Sequence, residues 1–144
     1  MTLAELLAPQ RALRNRFDDF RRALTRRDRA AYELGLREFE GTLRRYTLVE
    51  ERVLLPALDR AGVPGRDPRR ELKLEYVQVR ELTRHVLDLV GKNGPLQDIL
   101  GMVENLERRW IAHEGEMERV YYPAALGVLS DAEAKTLAEA APPP

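Results

Sequence analysis

The spacing of apolar residues leaves this chain few folds to choose from. Leu6, Gln10, Leu13, Phe17, Phe20 and Leu24 return at intervals of three and four, the interval at which side chains line up along one side of an α-helix. Phe39, Leu43, Tyr46, Glu50, Val53 and Ala57 form a second stripe, and Leu72, Tyr76, Val79, Thr83, Val86 and Val90 a third. The fourth is Val103, Leu106, Trp110, His113, Met117, Val120 and Ala124. Between the later stripes lie Gly62-Val63-Pro64-Gly65-Arg66-Asp67-Pro68 and Gly91-Lys92-Asn93-Gly94-Pro95, and glycine and proline at this density force the chain to turn. The pattern predicts one helix over about residues 3–26, a second from after Asp28 to near Arg60, a third along its stripe to Val90, and a fourth opened by Pro95. Ser130 and Glu133 have capping-box spacing and predict a short last helix over about 131–140, before Pro142-Pro143-Pro144 ends the chain. The expected fold is therefore all-α: an antiparallel, up-down-up-down four-helix bundle with a short C-terminal fifth helix. A length of 144 residues suits a single domain, its bundle covering about residues 3–126.

Two stretches match. Glu51-Arg52-Val53 returns as Glu118-Arg119-Val120 and Pro56-Ala57 as Pro123-Ala124, each 67 positions later. This internal repeat makes the ends of the second and fourth helices equivalent. The prolines are expected to kink or end both.

Charge and residue types exclude several functions. The 24 basic and 24 acidic side chains cancel, so nothing asks for nucleic acid or an anionic membrane. Arg21-Arg22 and Arg26-Arg27 are diluted by Asp18, Asp19 and Asp28 and read as a solvated face. Without Cys there are no disulfides, thiolate metal sites or Cys nucleophiles. No serine falls on a stripe, so hydrolytic catalysis lacks a nucleophile. Met1-Thr2-Leu3-Ala4-Glu5-Leu6-Leu7 is not a secretion signal, and no apolar run would span a bilayer, so a cytoplasmic location is expected.

Polar residues interrupt the stripes in a definite order. Gln10 lies early in the first helix, Tyr46 and Glu50 late in the second, Tyr76 early in the third, and His113 and Met117 late in the fourth. In an antiparallel bundle an early and a late position on neighbouring helices share a level. All six are expected to meet at one end of the core. His85 falls off its stripe and reads as a surface residue, while Trp110 and Tyr121-Tyr122 read as core or helix-end packing.

The segment Leu43 to Leu58, with Tyr46, Glu50 and Pro56, and the segment Trp110 to Pro123, with His113, resemble the paired signature helices of hemerythrin-like (HHE cation-binding) proteins. These are four-helix bundles that hold a non-haem diiron centre. The resemblance spans about residues 3–126. It implies a His on each signature helix, a carboxylate four or five residues later, and further His on the first and third helices. Imidazoles cap such metals and carboxylates bridge them. Matched residue by residue, Gln10, Tyr46 and Tyr76 stand where the family has His, and Arg80 where some members have another. Glu50 keeps the bridging place and His113 survives. Met117 replaces the nearer carboxylate, leaving Glu118 at the alternative spacing. An ordinary oxygen-binding site is not expected.

The altered pocket admits three readings. In the first it is a metal-free network, with His113, Arg80 or Arg14 as charged partner to Glu50 and a scaffold or interaction role, a homodimer being compatible with it. In the second, Tyr46, Glu50, Tyr76, His113 and Glu118 hold iron in an altered site for sequestration or redox chemistry, with Gln10, Arg80 and Met117 lining the pocket. In the third, the vacated space takes an organic ligand such as haem. His113 and Met117 share one helix, so only one of them would be an axial ligand.

Overall fold

Short polar caps and proline steps decide where each helix starts. The computed structural model describes residues 1–141; the expected ending at Pro142-Pro143-Pro144 lies outside the described residues. Thr2 and Glu5 form a capping box that opens α1, Leu3–Leu6. α2 comes next, over Ala8–Thr25. The single first helix expected from the stripe is thus interrupted at Leu7, because Pro9 brings no N–H to the helical ladder. Asp28 accepts a hydrogen bond from the Ala31 N–H and starts α3, Arg29–Val49.

A π-helical turn, Glu50–Leu54, joins α3 to α4, Leu55–Ala61, without leaving helical geometry. Gly62, at φ +69°, ends α4. Asp67 accepts from the Arg70 N–H and opens α5, Pro68–Gly91. Pro95 takes the cap position, not the first turn, of α6, Leu96–Glu116. A second π-helical turn, Met117–Tyr121, leads into α7, Tyr122–Leu126. Ser130 and Glu133 make the expected capping box on α8, Asp131–Ala138.

The two π turns correct two expectations. Pro56 and Pro123 neither end nor sharply break their helices, which run on to Ala61 and Leu126. A wider turn with i to i−5 bonds moves the preceding carbonyls out of the proline ring's way: the Leu55 N–H reaches the Glu50 carbonyl and the Tyr122 N–H reaches the Met117 carbonyl. The extra residue in each turn also rotates the helix beyond it. Val53, Val120 and Ala124, expected to face inward, are only half-buried, while Leu54, Leu55 and Leu58 and their counterparts Tyr121, Tyr122 and Ala125 fill the core.

α2 packs on α3, α5 on α6, and α3 on α5, and no strand occurs among the described residues. Two apolar clusters result. One centres on Phe17, Phe20, Phe39 and Trp110, with edge-on ring contacts from 5.3 to 6.0 Å. The other gathers Leu6, Leu54, Leu72, Met117, Tyr121 and Tyr122. Arg66 ties the loop before α5 to the second cluster through Glu71 and Glu116, both at 3.0 Å, and the Tyr121 hydroxyl at 3.1 Å. No described helix is long and apolar enough to cross a membrane.

Candidate polar site between the two apolar clusters

Tyr46 belongs to the first apolar cluster, and Tyr76, Met117 and Tyr122 to the second. Their polar ends meet between the two. Glu50, at the start of the first π turn, is 0% exposed. The Tyr122 hydroxyl donates to Glu50 Oε2 at 2.8 Å, and the Tyr46 and Tyr122 hydroxyls lie 2.8 Å apart. Tyr122 has one proton; while Glu50 is ionised that proton goes to the carboxylate, so Tyr46 must be the donor to Tyr122.

Burial pushes the Glu50 carboxyl up to about 7, against the opposing pull of His113 and the three tyrosines Tyr122, Tyr46 and Tyr76. Burial likewise raises all three phenols well above their ordinary range, and the Glu50 charge adds to it. Tyr76 faces the same carboxylate closely enough to act on its charge. Its hydroxyl nevertheless makes no hydrogen bond of acceptable geometry, and Glu50 Oε1 is also left without a partner.

His113 is buried and stacks near Trp110, ring centres 5.4 Å apart, with Tyr76 at 5.9 Å. Its Nδ1 pairs with Glu75 Oε2 at 2.6 Å. That pair lies beside a cavity of about 100 Å³ that opens between α5 and α6 and is also lined by Gln78 and Arg109. Gln10 joins the layer from α2, its Nε2 donating to the Glu114 carbonyl at 3.3 Å while its Oε1 stays unpartnered. Glu114 is pushed up to about 7 by burial, with Arg14 and His113 acting the other way.

Of the residues singled out in the sequence, Gln10, Tyr46, Glu50, Tyr76, His113 and Met117 are all buried. Glu118 is exposed on the outer side of its π turn and Arg80 is half-buried. Of the three charged partners considered for Glu50, His113 acts on its charge, whereas the two arginines go elsewhere: Arg80 lies 4.0 Å from Glu51, and Arg14 lies beside Asp18, Glu107 and Glu114. Two residues of the site are not apparent from the stripes. Tyr122 turns inward only because of the extra residue in the π turn, and a proline inside each matching helical run is the available signal for it. Glu75 is three residues after Leu72 and four before Val79, at the edge of the third stripe. His85 is exposed, as its place off the stripe indicates. Among the described residues no three His, Asp or Glu side chains converge as metal ligands.

The sequence model of the Hemerythrin HHE cation binding domain matches residues 1–125. No curated protein and no solved structure matches the chain. A match over that length, together with an all-helical fold and a polar layer on the matched helices, makes the chain a divergent member of the hemerythrin HHE cation-binding family.

Proposed function

We propose that this chain is a single-domain hemerythrin-fold protein, cytoplasmic and of up-down-up-down helix order, whose central site works as a hydrogen-bonded polar layer in a scaffold or interaction module. The Tyr46–Tyr122–Glu50 chain carries this reading. A diiron centre needs imidazoles on both metals and carboxylates to bridge them. Here the core offers one imidazole, already engaged by Glu75, and one carboxylate, already engaged by Tyr122. Gln10, Tyr46, Tyr76 and Met117 fill the other positions of the family pattern, and Glu118 is turned to solvent. These donors do not fit two irons.

A second reading, one hard cation held by Glu50, Tyr76 and His113, is favoured by a specific arrangement. A carboxylate on the far nitrogen is the usual outer partner of a metal-binding imidazole, and Glu75 holds that place. Glu50 Oε1 and the Tyr76 hydroxyl are the unpartnered oxygens such an ion would take. Metal analysis and an absorption spectrum of protein purified without added metal separate the two. On the leading reading the protein is colourless, carries substoichiometric metal, and titrates with ferric iron no differently after His113→Ala. Near-stoichiometric iron with a tyrosinate charge-transfer band would establish the second reading instead, and a Soret band would point to haem.

A further inference from the structure

Several arginines of this chain spend their donors on carboxylates. Arg21, Arg22, Arg37, Arg60 and Arg66 each donate to one within 3.3 Å. The seam between α3 and α5 differs. It opens into a cavity of about 540 Å³ lined by Arg44, Arg80 and Arg84, with Val77 and Leu87. Arg44 comes no closer to a carboxylate than 3.9 Å and Arg80 no closer than 4.0 Å. Arg84 is exposed and has no ion pair among the described residues. Three guanidinium forks thus face one groove with no carboxylate hydrogen-bonded to them, and such forks match carboxylates in a planar, two-bond geometry.

The groove is long. A second cavity, of about 420 Å³, shares Arg84 and Leu87 with the first and continues to Arg37 and Lys92. From Arg80 to Lys92 the α5 helix covers about 18 Å at ~1.5 Å per residue. Five cations line the joined groove against three acids, Glu40, Glu81 and Asp88, in a chain of zero net charge. The interspersed acids repel an unbroken polyanion, whereas spaced carboxylates on a peptide fall between them. Val77, 44% exposed, and Leu87 supply apolar footing.

The geometry points to docking of an acidic, amphipathic segment of a partner protein in the α3–α5 groove, with Arg44, Arg80 and Arg84 binding its carboxylates. This deepens the interaction role proposed above. It is read out independently of the core, so its failure leaves the metal analysis, which decides that reading, standing.

The test uses the full chain and a fluorescein-labelled helical peptide with Glu on one face and Leu on the adjoining one, beside a counterpart with Lys in place of Glu. Fluorescence anisotropy should show binding of the acidic peptide alone, weakened at least tenfold in the Arg44→Glu, Arg84→Glu double variant and by raised salt. Both substitutions sit on the surface, and circular dichroism checks that the variant is folded. The double variant should take up the Lys peptide in exchange. Equal binding of both peptides, acidic binding indifferent to the double variant, no binding of the acidic peptide, or its displacement by inorganic triphosphate at matched charge would each overturn the proposal.

Discussion

Tyr122 donates a hydrogen bond to the buried Glu50 carboxylate across 2.8 Å, between the two matching helix ends. Removing that donor takes the Oε2 hydrogen bond from a fully buried carboxylate. Tyr122→Phe should therefore destabilise the fold by about 1–3 kcal/mol, the usual cost of stranding a buried polar group. Tyr46→Phe strands no charge and should cost about 1 kcal/mol. Urea unfolding of both variants at pH 8 checks the order; equal losses would mean that the carboxylate draws its support from elsewhere.

Much of this arrangement is legible in the sequence, and the part that is not has one dominant cause. Intervals of three and four locate helices because they describe one face of a regular 3.6-residue turn, and Gln10, Tyr46, Glu50, Tyr76, His113 and Met117 are found that way. The same rule extended through Glu50–Leu54 and Met117–Tyr121 points Val53, Val120 and Ala124 inward and gives Tyr122, which its aromatic type reads as packing, no place on the stripe. One additional residue in each turn reverses that assignment. Charged partners are illegible for a different reason. Long side chains choose between neighbours at similar distances, so Arg80 facing Glu51 and Arg14 facing Glu107 and Glu114 are outcomes of packing. Glu75 is hidden by lying at the edge of a stripe, where a carboxylate looks like ordinary surface.

Stability should fall as pH rises. In the unfolded chain the Glu50 carboxyl titrates near 4.5, and in the folded chain burial moves it to about 7. Between those values the folded state holds the extra proton. The group costs nothing below about 4.5, costs progressively more as pH climbs, and imposes its full penalty, on the order of 3 kcal/mol, above about 7. Glu114 acts in the same direction. Glu50→Gln should accordingly be more stable than the parent at pH 8 and indistinguishable from it near pH 4.5. Melting temperatures at the two pH values, with Glu114→Gln to separate the second group, test the sign directly. A parent protein that gains stability from pH 5 to 8 would contradict it.

At His113 the contrast lies between a neutral partner and none. Glu75→Gln keeps an oxygen for Nδ1 and should cost less than about 1 kcal/mol, whereas Glu75→Leu strands a buried ring nitrogen and should cost about 1–3 kcal/mol. If the leucine variant melts with the parent, the imidazole has another partner within reach.

The second π turn can be removed by deletion. A π turn is one residue inserted into an α-helix, so deleting exposed Arg119 should let the segment close into regular α-helix with Tyr121 and Tyr122 still inward. What suffers is Pro123, whose ring then meets the carbonyl four residues back, at a cost of about 3 kcal/mol. Adding Pro123→Ala should return most of that loss. Deleting Arg108 from the regular part of α6 offers no such remedy. It rotates everything beyond it by ~100° per residue and takes His113 and Met117 off the core face. Thermal melts of the three deletion variants should rank the Arg119 deletion with Pro123→Ala highest, the Arg119 deletion next, and the Arg108 deletion unfolded. Equal disruption by both single deletions would show that the wide turn is not what sets the register of Tyr122 against Glu50.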